Sequence, residues 1–411
     1  MINVIDKVVA TGKCCGCGIC AGLAQKCNLS MAFNSDGEFN PIVTNCNECK
    51  LCLSVCPFSE PLVNNLSEAP LGNSIANYVG YSKVGSERAR GSSGGMATRV
   101  LKALLERKMV DGIVAVTNSN TDGRLFEATI IRTPEDVSKC SGSKYYPVEF
   151  SGVLKQIKNE AGTFAIIGLP CVISGLRKVQ KRFPEFGKKF KYLLGLTCGH
   201  NKNKNYVSIL LKYLNTNDSD VKTVLFRAKE GSLKATNYGF LGNLKNGNIT
   251  QKLYFQDSIV KYLWGKYFFS LKACLYCKDV FAEQADVSFM DAWLKPYLDD
   301  PLGTSLIVIR NRELDLIQNE SDNIVIQKIT DEQVVRSQDG VIENKNMDIS
   351  CKNIYDFNRR YSNACFSRRK NKCLGLFIVL FLIKMNQFIT KYAALRSSIK
   401  GKLKSINNED R

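Results

Sequence analysis

The chain has 411 residues, 45% apolar and 23% charged, with 57 basic against 38 acidic side chains and a formal net charge of +19. That length suits two or three domains and that balance suits a sizeable core, which excludes a disordered chain or a small disulfide scaffold. A single histidine excludes zinc hydrolase sites built on two or three imidazoles, and any serine–histidine–aspartate triad would have to run through His200.

The thiols dominate the start of the chain. Residues 1–12 lack the apolar stretch of a secretory signal. The seventeen cysteines are therefore expected to be reduced, in a cytoplasmic setting, and available to metal. Nine of them lie between Cys14 and Cys56. Cys46-x2-Cys49-x2-Cys52-x3-Cys56-Pro57 is the spacing of bacterial ferredoxins. Two-residue gaps wrap the backbone around one cubane so that three thiolates meet three irons, and the cysteine before proline is carried to the neighbouring cluster. Upstream, Cys14, Cys17 and Cys20 keep the same register, with Gly16 and Gly18 permitting close backbone approach. The crossing rule assigns Cys14, Cys17, Cys20 and Cys56 to one 4Fe–4S cluster, and Cys46, Cys49, Cys52 and Cys27 to the other. Cys27 follows Cys20 after six residues rather than three and lacks a trailing proline, which leaves Cys15 as an alternative ligand. C-x2-C pairs also build zinc ribbons, but two triple-cysteine runs suit two cubanes better than tetrahedral zinc.

Beyond a polar, turn-rich stretch at 61–71, helix and strand alternate. Ser92-Ser93-Gly94-Gly95 opens a segment with Met96, Val100, Leu101, Leu104 and Leu105 at helical spacing. Free N–H groups at such a start make a seat for phosphate, although a serine–glycine start also serves as a plain cap. The run 112–116 predicts a buried strand. Residues 163–168 predict another, Leu169-Pro170-Cys171 a turn, 172–180 a helix, and 191–197 the next strand, ending at Cys198-Gly199-His200. Two successive parallel strands would each present a cysteine at the carboxyl edge, where doubly wound sheets bind ligands. Cys171 and Cys198, with Cys274-x2-Cys277, read either as the ligands of a third cluster or as ordinary buried thiols. Spacing leaves both readings open. His200 reads as a proton donor beside a cofactor or as a satisfied hydrogen-bonding group.

The order of these motifs resembles the family of coenzyme F420 hydrogenase/dehydrogenase beta subunits. The matching pieces are the ferredoxin-like front, Ser92-Ser93-Gly94-Gly95, Ser141-Gly142-Ser143-Lys144-Tyr145 and Gly168-Leu169-Pro170-Cys171. Cys198-Gly199-His200, Cys274-Leu275-Tyr276-Cys277, Ala285-Asp286-Val287-Ser288, Asp291-Ala292-Trp293 and Gly303-Thr304-Ser305 complete them, over residues 10–315. The resemblance implies FAD contacted by Ser92, Ser93, Gly94, Gly95, Ser143, Lys144 and Tyr145, with His200 and Lys144 as catalytic candidates. It also implies a core 4Fe–4S cluster on Cys171, Cys198, Cys274 and Cys277. The implied function is an iron–sulfur flavoprotein oxidoreductase. It would pass electrons between clusters and, through FAD, a small two-electron substrate, with ferredoxin or another redox protein as donor or acceptor. An electron-transfer subunit without its own substrate is the alternative. Substrates in the family include the deazaflavin F420 and, in a plant branch, a chlorophyll derivative. Here Cys198 is followed by Gly-His where many members have His-Gly, and Met290 stands where glycine usually precedes the aspartate, so substrate identity does not carry over. Bacterial relatives with this fused front suggest service to surface-polysaccharide metabolism.

The expected fold class is α+β with α/β. A bacterial ferredoxin-like module with two 4Fe–4S clusters spans 1–65, an α/β flavoprotein core spans 72–150 and 151–335, and a basic helical tail spans 345–411. Residues 351–411 carry fourteen basic and three acidic side chains, against four and six in 1–70. A basic chain invites nucleic acid, but no zinc-finger, RNP-like or helix-turn-helix pattern accompanies the charge, and nucleic acid is not expected. In the tail, the run RRKNK precedes eleven uncharged residues, 373–383, too few to span a bilayer. Such a helix lies on an anionic membrane surface, here the inner face, or packs on the core.

Overall fold

A computed structural model describes residues 3–24, 27–46, 50–59, 70–232, 234–315 and 322–367. Cys49, the RRKNK run and the apolar stretch 373–383 lie outside them. In the front segment, β1 (Asn28–Phe33) and β2 (Phe39–Asn45) pair as an antiparallel hairpin. Phe33 and Phe39 stack across it with ring centroids 3.9 Å apart, a cross-strand aromatic pair.

The centre of the molecule is one eight-stranded sheet. Its strands are β3 (Ala76–Ser82), β4 (Gly112–Asn118), β5 (Phe126–Ile131), β6 (Phe164–Gly168) and β7 (Phe190–Leu196), followed by β11 (Val287–Asp291), β12 (Ser305–Ile309) and β13 (Ile324–Lys328). The spatial order is β13-β3-β12-β11-β7-β6-β4-β5. The pairs β11–β7, β7–β6 and β6–β4 are parallel, whereas β5, β12, β3 and β13 join antiparallel. The sheet is therefore mixed: β4 turns back into β5 through a short loop, which leaves no crossover length for a parallel partner.

Successive residues of the central strands face opposite cores. Val114, Phe164, Ile166 and Leu193 pack on one side; Ile113, Ala115, Ala165, Ile167 and Leu194 pack on the other. Buried on both faces, such strands read as continuous apolar runs rather than alternating ones. The Met96–Glu106 helix covers one face through Met96, Val100, Leu101 and Leu104. The other face carries the Ser151–Asn159 and Pro170–Arg182 helices and, outside them, the front segment. There Ile19, Ala21 and Leu23 of the Ile19–Leu23 helix are buried with Val153, Leu154 and Ile157. A Cβ at Gly22 would stand 2.9 Å from that of Leu154, so this contact needs glycine.

Leu169-Pro170-Cys171, expected as a turn, is instead the N-cap and first turn of the Pro170–Arg182 helix. Proline at N1 loses no bond, because the N–H it lacks has no intrahelical acceptor there. Cys171 is thereby fixed at the carboxyl edge of β6.

A second, three-stranded antiparallel sheet, β8 (Val221–Ala228), β9 (Gly239–Leu244) and β10 (Leu253–Tyr254), packs with the Asn205–Tyr213 and Ser258–Gly265 helices. Their shared core is rich in aromatic side chains, among them Tyr206, Phe226, Phe240, Phe268 and Phe269. Of the tail, the Ile349–Ser367 helix is described, and it packs on the core: Asn203 Nδ2 donates to Asn363 Oδ1 at 2.8 Å. Among the described residues no helix is long and apolar enough to cross a membrane.

Candidate functional site

The front thiols are gathered by a loop that only glycine can form. Gly16 and Gly18 take positive φ, +71° and +75°. A Cβ at Gly16 would meet the Phe39 carbonyl at 2.8 Å, and one at Gly18 would meet the Phe150 N at 2.9 Å. Phe150 N donates to the Cys17 carbonyl at 2.9 Å, which pins the loop to the core. Cys14, Cys17, Cys20 and Cys56 come within electrostatic reach of one another. These are the four that the spacing groups as one set. Burial pushes Cys14 and Cys56 up to about 12 and drives Cys20 well above the ordinary thiol value. A hydrogen bond from Cys15 pulls Cys17 the other way, against burial. Of the second set, Cys46 Sγ takes Asn3 Nδ2 at 3.9 Å, Cys52 lies beside Cys20 and Cys56, and Cys27 packs against the same core; Cys49 is outside the described residues.

The core thiols converge from four places in the chain. Cys171 opens the helix after β6, Cys198 follows β7, and Cys274 and Cys277 belong to the turn beyond Leu271. Burial raises Cys198 and Cys277, and lifts Cys274 to about 12; Cys198 feels Cys274, Cys171 and Cys277, Cys274 feels Cys277 and Cys171, and Cys277 feels Cys171. Asn201 N donates to Cys274 Sγ at 3.3 Å. Lys345, only 4% exposed, brings its Nζ to 3.4 Å from Cys277 Sγ. Burial opposes its charge, but Cys277, Cys198, Cys274 and Asp279 outweigh burial and hold its pKa above the usual lysine value.

Cys15 joins the two nests: its thiol is in hydrogen-bonding contact with both Cys17 and Cys171. The Pro170–Arg182 helix that starts near Cys171 runs along the front segment, where Lys178 Nζ donates to the Cys56 carbonyl at 2.8 Å. All these described thiols are free of disulfides. Among the described residues, no three His, Cys, Asp or Glu side chains are placed to hold a single metal ion. A cubane makes a different demand, since it spreads four thiolates over four irons, so looser sets of buried, unoxidised thiols suit it.

The Ser92–Gly95 segment lies between β3 and the Met96–Glu106 helix. A Cβ at Gly94 would meet the Gly80 carbonyl at 2.5 Å and the Ser305 N at 2.7 Å. Ser92 Oγ and Ser143 Oγ are 2.6 Å apart, which brings together the two loops named for the flavin. Ser93 Oγ donates to the Thr304 carbonyl at 2.5 Å. Lys144 turns inward, with Nζ donating to the carbonyls of Cys140, Ser141 (2.7 Å) and Gly142 (2.9 Å), and burial lowers its pKa to about 8. Tyr145 leans on Trp264, centroids 4.5 Å apart, in the wall of a small aromatic recess shared with Tyr206, Phe226, Tyr238 and Phe240.

His200 is buried against Trp264 and Tyr267, 4.6 and 4.4 Å from their ring centroids. Burial, with Lys202 and Lys345 nearby, holds its pKa well below the ordinary value. Its Nε2 is buried without a hydrogen-bond partner among the described residues, as is Arg227 Nε beside the recess. Arg227 otherwise pairs with Asp291 at 2.9 Å and lies over Tyr238, 4.2 Å from the ring centroid.

Sequence reasoning missed Lys345, Arg227 and Lys229. Lys229 Nζ clamps the Ser92–Gly95 loop by donating to the carbonyls of Arg88 (2.8 Å), Ser93 (2.6 Å) and Leu302 (2.5 Å). None of the three lies in a motif, and nothing in a polar stretch announces that a lysine will be buried.

A family model for the N-terminal part of coenzyme F420 hydrogenase/dehydrogenase beta subunits matches residues 77–155. Its counterpart for the C-terminal part of the same beta subunits matches residues 162–332. The chain is 27% identical over 335 residues to the coenzyme F420-dependent sulfite reductase of Methanocaldococcus jannaschii, covering 77% of this chain and 47% of that protein. It thus spans about half the length of that relative. It is 22% identical over 282 residues to an F(420)H(2) dehydrogenase subunit, from Methanosarcina mazei, covering 67% of this chain and 72% of that one. In fold it resembles a chain of the F420-reducing [NiFe] hydrogenase complex from Methanosarcina barkeri, with a TM-score of 0.50 and 19% identity, covering 75% of this chain and 97% of that chain.

Proposed function

The chain belongs to the family of coenzyme F420 hydrogenase/dehydrogenase beta subunits, and from that premise we propose that it is an iron–sulfur flavoprotein oxidoreductase acting on a small two-electron substrate. The observation that carries this reading is the continuous line of thiols from the Cys14, Cys17, Cys20 and Cys56 nest, through Cys15, to the Cys171, Cys198, Cys274 and Cys277 nest. Bound 4Fe–4S clusters would supply one-electron transfer and bound FAD the conversion between one- and two-electron steps.

The chain's own residues would do the rest. Each nest supplies four thiolates from a site already drained of water, and Cys46, Cys49, Cys52 and Cys27 are assigned to the second front cluster. Ser92 and Ser93, ahead of the Met96–Glu106 helix, with Ser143 brought against Ser92 from its own loop, would orient a phosphate through hydroxyls and free N–H groups. Lys229 and Lys144 hold those loops by their carbonyls. The aromatic recess would shield one side of Tyr145 from water, while His200 Nε2 and Arg227 Nε would offer unpartnered polar atoms to a ring edge.

Deazaflavin F420 heads the candidate substrates because the relatives named above are F420-linked. The alternative, a subunit that hands electrons to a partner protein, draws on the hydrogenase likeness, since that chain comes from a complex. The test is anaerobic: the holoprotein is reduced and then mixed with oxidised F420 or other two-electron acceptors. Flavin reoxidation without any partner supports the enzyme. Reoxidation only on adding a redox protein supports the electron-transfer alternative.

A further inference from the structure

The two nests differ in the charges built around them. Lys345 comes from the Asp339–Asn346 helix, beyond residue 332 where the family match ends. Its ammonium is buried, 3.4 Å from Cys277 Sγ and 2.6 Å from the Asp279 carbonyl. The Asp279 carboxylate itself accepts from Glu283 N at 3.3 Å, and among the described residues no carboxylate forms an ion pair with Lys345. A buried cation needs countercharge nearby. Cys277, Cys198 and Cys274, with the Asp279 carboxylate after them, are the groups at hand. Lys202 lies on the Cys274 side, but burial holds its pKa well below the usual lysine value, and its Nζ is taken by the Leu263 and Phe268 carbonyls and Ser270 Oγ. The core nest has one carboxylate, Asp279 beside Cys277, and the front nest has the more acidic surroundings. Glu38 bears on Cys14 and Glu149 on Cys17, against Lys178 at Cys56 alone.

We propose that Lys345 raises the reduction potential of the core nest, making it the electron-accepting partner of the front nest. This rests on the reading that Cys171, Cys198, Cys274 and Cys277 hold an iron–sulfur cluster. Reduction adds one negative charge inside a low-dielectric site, and a fixed ammonium with an N–H aimed at a ligand sulfur stabilises the reduced state more than the oxidised one. Each electron gained by the core nest is one lost by the front nest, with no bond made or broken. Lys345 is thus a positioning and tuning residue rather than a ligand.

The test is an EPR-monitored redox titration of anaerobically purified full-length holoprotein, with C198A used to mark which signal belongs to the core. K345M is expected to keep its iron and sulfide and to lower the core midpoint by at least a tenfold change in the one-electron equilibrium, about 59 mV. The front midpoint should stay put, and K345R should restore the core value. A K345M protein that keeps its iron with an unmoved or raised core midpoint overturns the proposal. So does loss of core iron in K345M, which would make the lysine a structural support. Wild-type protein lacking a core signal, iron and sulfide would instead sink the cluster reading underneath, a separate failure.

Discussion

The front and core nests each gather four buried or half-buried thiols, but they are made in opposite ways. The front one is nearly contiguous: Cys14, Cys17 and Cys20 share one loop, and Cys56 arrives from the far side of a short hairpin. The core one is assembled by topology, from the ends of β6 and β7 and from a turn about seventy residues further on. The front nest sits among carboxylates, the core nest beside Lys345. Local spacing can encode where thiols meet, whereas the electrostatic setting of each meeting point comes only from the tertiary fold.

The sharpest way to break this comparison is to empty one nest. Cys198→Ala should remove about four irons per chain, one cubane, and leave the front iron in place. Iron and sulfide assays on the purified variant check it; loss from both nests would mean they do not fold as separate sites.

The reverse experiment uses the backbone. Gly18→Ala sets a Cβ at φ +75°, 2.9 Å from the Phe150 N. The cost should be about 1–3 kcal/mol. The front iron should be lost preferentially, read as a lowered thermal midpoint with the core signal retained.

A third test uses Glu38, which burial, opposed by Arg359 at 3.8 Å and reinforced by Asp36, raises to about 7. The folded state then binds a proton that the unfolded state has released between pH 4.5 and about 7. Glu38 therefore contributes stability at low pH, and that contribution fades as pH rises through about 7, by at most ~3 kcal/mol. Glu38→Gln should flatten this part of the stability–pH curve, measured by denaturant titration at pH 5 and pH 8. An unchanged slope would remove Glu38 from the front-nest electrostatics.

The smallest expected effect is at Cys15. If it only bridges the nests, Cys15→Ala should keep the full iron content and lose one hydrogen bond to a ligand sulfur, about 0.5–1.5 kcal/mol. Loss of four irons would make it a ligand.

How much is legible in the sequence follows the same division. The Cys46–Cys56 spacing, the strands near 112–116, 163–168 and 191–197, and the helix opening at Met96 can all be read from local patterns, because each lies within one element. The segment at Cys171 reads as a turn because proline suggests a break, yet at N1 proline begins a helix. The meeting of Cys171 with Cys274 depends on strand order, which no local pattern carries. Lys345 is invisible to such reading because its helix, DGVIENKN, looks solvent-facing.

The measurement that bears most directly on the central claim is iron, acid-labile sulfide, zinc and flavin quantified together on one anaerobically purified sample. About eight to twelve irons per chain, matching sulfide and bound FAD is the result expected from clusters in the front and core nests, at about four irons each. Zinc without acid-labile sulfide would contradict the redox reading outright.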